Sequence, residues 1–280
     1  MTDTEKISRL KNALNESQAI IIGAGAGLST SAGFTYDGER FTKNFADFEK
    51  KYNFHDMYSG GFYTFESSSE KWAFWSRNIF LNRYTNPPKP VYNNLLKILD
   101  GKNYFVITTN VDHCFQRAGF DKTRLFYTQG DYGLFQCPLP CHYKTYDNEE
   151  IITKMFYSQQ NMRVPENLIP HCPKCGREMT TNLRTDDTFV EDSGWHNAAK
   201  NYSRFLDDSC REKTLFLELG TGYNTPGIIK FPFWKMTREW PNAFYCCINL
   251  GEAFISSRAG IFERSISIDS DIGEILEKLL

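Results

Sequence analysis

The sequence predicts an α/β protein: a doubly wound, parallel, Rossmann-like sheet carrying a helical insertion and a smaller cysteine-rich module. Three observations predict it. Short apolar runs ending in glycine or polar turns alternate with helical stretches, at residues 19–22, 104–109, 215–219, 244–248 and 266–268. Between 41 and 99 the alternation gives way to aromatic residues at helical spacing. Between 133 and 185 apolar runs are few, and four of the eight cysteines gather there.

The elements follow in order. Ile7, Leu10 and Leu14 repeat at helical spacing behind a capping box of Thr2 and Glu5. This charged opening stretch has no apolar h-region, which argues against a signal peptide. No run approaches the ~18 apolar residues that span a bilayer. A cytoplasmic setting is therefore expected, where cysteines are read as thiols or metal ligands before disulfides. The run at 19–22 breaks into Gly23-Ala24-Gly25-Ala26-Gly27, a strand, tight turn and helix. Phe41, Phe45, Phe48 and Tyr52, then Trp72, Trp75 and Ile79, give the insertion an aromatic helical face. A terminal amphipathic helix carries Ile272, Ile275, Leu276 and Leu279. The sheet domain is assigned to 1–40, 100–132 and 186–280, the insertion to 41–99, and the module to 133–185. In such sheets ligands sit at the carboxyl ends of the strands, which here carry Gly, Asn, Asp and Thr.

Composition excludes some partners. A net charge of −2 gives no basic excess, so nucleic acid is not expected, and no membrane segment is found. The 15% aromatic content suits either a Phe-rich core or a pocket for flat ligands.

A glycine turn between strand and helix offers backbone N–H groups to a pyrophosphate. The dehydrogenase fingerprint fails in both frames, because Leu28 or Thr30 stands at the third glycine, and no Gly-Lys-Ser/Thr follows. Cys137-x3-Cys141 and Cys172-x2-Cys175 make a four-thiolate set suited to tetrahedral, structural zinc, which defines the module as zinc-binding. His142 and His171 flank it.

The stretch from Gly25 to Phe34 resembles the first signature of the sirtuin (Sir2) family. Thr109-Asn110-Val111-Asp112 resembles the second, Gly220-Thr221-Gly222 the third, and Ile248-Asn249-Leu250 the asparagine turn that holds the adenosine ribose. The order and the intervening cysteines agree over nearly the whole chain. The resemblance implies NAD as co-substrate. Gly25, Ala26, Gly27 and Ser29 would cradle its pyrophosphate, and Gly220, Thr221, Asn224 and Asn249 would meet the adenosine half. Asp112 would fix the nicotinamide amide, or else cap a helix. Asn110 would hold the nicotinamide-side ribose and any attacking water.

Departures from the family are as informative. Deacylating sirtuins carry a catalytic His-Gly where this chain reads Gln129-Gly130, and none of His55, His113, His142, His171 or His196 falls there. Nicotinamide leaves as a neutral molecule and needs no general acid, but deacylation needs a base to deprotonate a ribose hydroxyl. Glutamine orients a hydroxyl without accepting its proton, and losing a general base costs about 10²–10⁴ in rate. Glycosidic cleavage should survive while deacylation is crippled. His113, beside Asp112, is expected to point away from the ribose. The family's Pro-Asp-Phe-Arg is replaced by Thr35-Tyr36-Asp37-Gly38, with Arg40 and Phe41 offered as stand-ins. Val190 replaces the glycine of a strand that pairs with acyl-lysine peptides.

These features resemble the macrodomain-linked, class M branch, whose members are ADP-ribosyltransferases. That likeness implies a protein acceptor, a lipoylated glycine-cleavage H-like carrier, and a partner macrodomain hydrolase. The alternatives are a deacylase, a plain NAD hydrolase, and a non-catalytic NAD or ADP-ribose sensor.

Overall fold

The computed structural model describes residues 1–223 and 225–280. In chain order the elements are α1 (Asp3–Glu16), β1 (Ala19–Ala24), α2 (Ala26–Ser31), α3 (Gly38–Tyr52), α4 (Met57–Gly61), α5 (Ser68–Arg83), α6 (Val91–Ile98), β2 (Tyr104–Thr108) and α7 (Cys114–Arg117). There follow β3 (Leu125–Tyr127), β4 (Gly130–Gln136), β5 (Tyr146–Asp147), α8 (Glu149–Ser158), β6 (Thr180–Leu183), α9 (Ser193–Ser209) and β7 (Thr214–Leu219). The chain closes with α10 (Lys230–Glu239), β8 (Ala243–Ile248), β9 (Ser265–Ile268) and α11 (Ile272–Leu279).

Six strands form one parallel sheet in the order β3-β2-β1-β7-β8-β9. The doubly wound prediction holds. Alternation along each strand feeds two layers. Ile20, Ile22, Val106, Leu215, Leu217 and Ile248 face one layer with α1, α6 and α11. Ile21, Phe105, Ile107, Phe216 and Tyr245 face the other with α9 and α10. The capping box of α1 is present in both directions between Thr2 and Glu5, satisfying donors the helix itself leaves open. The winding reverses between β1 and β7, and a crevice opens outside the carboxyl ends of strands at such a switch point.

A second, antiparallel sheet has the order β5-β4-β6. It begins at Gly130, three residues before the module was expected to start. Although its apolar runs are few, the module shares a core with the insertion. Phe41, Phe45, Phe48, Trp72 and Phe74 pack with Phe135, Ile152, Met155 and Met179 in a single buried cluster. Phe41 and Phe45 stack at 5.5 Å, and Trp72 meets Phe135 edge-on at 5.1 Å. The predicted aromatic face is therefore core. No helix among the described residues is long and apolar enough to cross a membrane.

Candidate active site at the switch point of the sheet

The loops after β1 and β7 touch, backbone against backbone. Gly25 N–H donates to Leu219 O (3.0 Å) and Gly27 N–H to Gly220 O (2.9 Å). Gly220 lies at φ +64°, and a Cβ there would sit 2.5 Å from the Gly27 carbonyl carbon. Only glycine combines that backbone with that approach. The glycine turn was expected to present bare N–H groups, but two of them bond to the neighbouring loop. Ala26, exposed at the first turn of α2, is the residue whose N–H has no protein acceptor among those described.

Beside this turn lies a cluster of polar side chains. Asn110 Nδ2 donates to Gly25 O (2.9 Å) and to Ser29 Oγ (3.1 Å). Ser29 Oγ donates to Asp112 Oδ2 (2.5 Å) and lies 2.8 Å from the Tyr92 hydroxyl. Asp112 Oδ1 accepts the Cys114 N–H (2.9 Å), so the carboxylate also serves the start of α7. Burial pushes the Asp112 carboxyl above its ordinary range, and the Ser29 hydroxyl pulls part of that shift back. Tyr92 completes the cluster without any sequence signal beyond an apolar helical pattern. Nearby, the Tyr36 and Tyr132 hydroxyls pair at 2.9 Å, and burial holds the Tyr36 phenol protonated. Tyr36 belongs to the altered loop.

Gln129 stands at the end of β3. β2 and β3 pair Thr108 with Tyr127 in parallel, so Asn110 and Gln129 occupy matched positions two residues past that pair. Gln129 Nε2 contacts Thr128 Oγ1 (3.2 Å) and is half-buried. His113 Nδ1 lies 2.6 Å from Asp131 Oδ2.

On the other side of the crevice Thr221 is buried, and its Oγ1 has no hydrogen-bond partner among the described residues. A buried hydroxyl without a partner costs free energy unless a ligand or water satisfies it. Asn249, also buried, donates to Thr221 O (3.4 Å). Asn224 lies outside the described residues. Arg40, offered as a cofactor contact, is bonded instead to Thr35 O, Leu81 O and Asn82 Oδ1, with its guanidinium over Phe34. Phe41 is core. Val190 is buried with its N–H on Gln136 Oε1 (2.9 Å) and its carbonyl on Asn182 Nδ2 (3.1 Å). That edge of the segment is closed by side chains.

The four cysteine sulfurs of Cys137, Cys141, Cys172 and Cys175 lie within 4.8 Å of one another. Cys137 and Cys175 are 3.6 Å apart, Cys141 and Cys172 3.7 Å. A tetrahedron with Zn–S bonds of about 2.3 Å has edges near 3.8 Å, so the set fits zinc with no open position. His142 binds the Tyr146 hydroxyl through Nε2 (2.7 Å), and His171 Nδ1 meets Ile169 O (2.8 Å).

No protein-family model matches the chain. A protein ADP-ribosyltransferase of Staphylococcus aureus is 42% identical over 278 residues, covering 99% of this chain and 88% of that protein. A probable bifunctional ADP-ribose hydrolase/ADP-ribosyltransferase of Fusarium oxysporum f. sp. cubense is 28% identical over 82% of this chain, which spans 40% of that longer relative. A sirtuin solved in work on substrate affinity aligns with a TM-score of 0.60 at 19% identity, covering 100% of this chain and 98% of its own. The fold is that of the sirtuins, with the crevice at the switch point of its sheet. Within it, the chain belongs to the family of the Staphylococcus aureus protein ADP-ribosyltransferase.

Proposed function

We propose that this chain cleaves NAD at the nicotinamide bond and transfers the ADP-ribosyl group to a side chain of a protein acceptor, a lipoylated glycine-cleavage H-like carrier. One observation carries the reading. Asn110, Ser29 and Asp112 are assembled as a hydrogen-bonded set, while the matched position at the end of β3 is Gln129, which has no base to offer. NAD supplies a good leaving group and an electrophilic ribose carbon.

The chain's own groups position and dehydrate. The contact between Gly27 and Gly220 brings the two loops close enough to seat a pyrophosphate. The Ala26 N–H, without a protein acceptor among the described residues, leaves a donor for it. Thr221 Oγ1 and Asn249 offer polar atoms to the adenosine half. Asn110 is fixed by Gly25 and Ser29, and such pre-ordering lowers the barrier by placing the ribose against its nucleophile. Asp112, held by the Ser29 hydroxyl and the Cys114 N–H, presents an acceptor to the carboxamide. Gln129 orients ribose hydroxyls. The relatives' names support the transfer, since both are ADP-ribosyltransferases. The Fusarium relative also couples the transferase to an ADP-ribose hydrolase, which supports a partner macrodomain for this chain.

The test is incubation with NAD and either lipoylated or unlipoylated carrier, with an acyl-lysine peptide in a third arm. Nicotinamide release with an ADP-ribosyl mass on the lipoylated carrier is expected. O-acyl-ADP-ribose from the third arm would overturn the proposal.

A further inference from the structure

His113 is one of four non-glycine residues with positive φ among those described, at φ +65°. L side chains rarely adopt this backbone, and where they do the surroundings hold them there. Here the holding group is visible. The imidazole Nδ1 meets the buried carboxylate of Asp131 at 2.6 Å, and the same carboxylate accepts Arg83 Nε and the Gly133 N–H, each at 2.7 Å. A backbone bond from Tyr132 N–H to Val111 O (2.9 Å) runs alongside. His113 follows Asp112 directly, and Asp131 lies two residues after Gln129. The contact therefore joins the loop of Asn110 and Asp112 to the turn of Gln129, two segments tied at their base by Thr128 Oγ1 donating to Thr108 O (3.2 Å).

We propose that His113 and Asp131, backed by Arg83, form a clamp that keeps the Asn110–Asp112 loop in register with Gln129. Both are positioning residues, acting through Asn110, Asp112 and Gln129. The proposal rests on the reading of those three as the NAD-cleaving set.

The groups around the pair hold it in place. Asp131 comes from β4 and Arg83 from α5. Arg117 of α7 donates to the Arg83 carbonyl and does not reach the carboxylate. Asp112, the neighbour on His113's own loop, is turned to Ser29. Tyr127 at the end of β3 feels the Asp131 charge. Burial works against ionisation of Asp131, but His113 and Arg83 outweigh it and hold the carboxyl below its ordinary range. The carboxylate thus stays charged and holds the imidazole across the two loops in a charge-assisted hydrogen bond.

His113→Gly tests the clamp, because glycine adopts left-handed backbone freely and removes the imidazole. Two readouts are taken on the full chain. Amide exchange is followed at 109–113 and 128–131, and in H113G both segments should exchange faster. Nicotinamide release from NAD gives the second readout: H113G should lose about 10-fold or more in kcat and keep its KM for NAD. His113→Asn, whose amide can still donate to the carboxylate from left-handed backbone, should recover part of both losses. Asp131→Asn should reproduce the H113G effects, and if it fails to fold H113G decides alone. Unchanged exchange in either segment of H113G, or an unchanged kcat, overturns the clamp. A wild type that releases no nicotinamide overturns the transferase reading instead, and the exchange data still judge the clamp.

Discussion

Ser29 Oγ donates to Asp112 Oδ2 at 2.5 Å, and both side chains are buried. A hydroxyl with a short reach is thus the principal compensation for a buried negative charge. Asp112 and Asp131, both buried, have opposite settings. Asp112's folded pKa is raised, chiefly by burial, so its contribution to stability is present in acid and lost as pH rises through that value. Asp131's is lowered against burial by His113 and Arg83, so its contribution is present above about 3.9 and lost as pH falls through the folded value.

Asp112→Asn should therefore raise the melting temperature at neutral pH, by about 2–4 °C for each kcal/mol recovered, while suppressing nicotinamide release. The stability gain should shrink in acid, where the wild-type carboxyl is protonated. D131N should lower the neutral melting temperature, with a gap that also closes in acid. Thermal melts across pH check both signs.

Gly220→Ala places a methyl 2.5 Å from the Gly27 backbone on a left-handed residue. Neither atom belongs to a flexible side chain, so the loops must part. A stability loss of about 2 kcal/mol or more is expected, with NAD affinity down at least about 10-fold because the crevice is built from that contact. Calorimetric titration with NAD separates the two effects.

Gln129→Ala should lower ADP-ribosyl transfer by about 10-fold or more through lost orientation and leave acyl-lysine peptides untouched, as in the wild type. Product analysis by mass spectrometry checks it. Deacylation by the wild type at rates matching its transfer would refute the role given to this glutamine.

Much of this architecture was legible in the sequence, for reasons visible in particular residues. The runs containing Ile20, Val106, Leu217 and Cys246 are buried on both faces, so they read as continuous apolar strands. Phe41, Phe45 and Phe48 announced a helix, because spacing reports which face is apolar. Spacing is silent on what that face meets, so the core shared with Phe135 and Met155 was not foreseen. The short strands β5 and β6 carry polar residues such as Asp147, Thr180 and Asn182, and gave no periodic signal. At the site, the glycine turn and Asn110 followed from local motifs. Tyr92 and Asp131 act through long-range contacts, to Ser29 and to His113, that no local pattern encodes.

Lys230 and Glu218 form a fully buried ion pair, and Glu218 also accepts the Tyr245 hydroxyl at 2.6 Å. Breaking one partner strands a charge, so Lys230→Met alone should cost about 3–5 kcal/mol, whereas combining it with Glu218→Leu should return most of that loss. Denaturant titrations of the two singles and the double close the cycle. Equal destabilisation in single and double variants would refute the coupling.

Zinc should be present at one ion per chain, and Cys172→Ser should remove it along with much of the thermal stability. Atomic absorption and melting curves decide the matter. A metal-free wild type of undiminished stability would count against the site.

Cys137 and Cys172 are at once two of the four thiolates and members of the cluster built on Phe45, Trp72 and Met155. Ligation and packing in that lobe are consequently one event. Scarcity of metal, or oxidation of a single sulfur, reaches past the knuckle into the aromatic interior beneath α3 and α5. From there it reaches Tyr132, whose hydroxyl holds Tyr36 beside the crevice. The loop carrying Tyr36 thus inherits its order from the cell's supply of reduced thiols and free metal, while the parallel sheet, with its own core, does not.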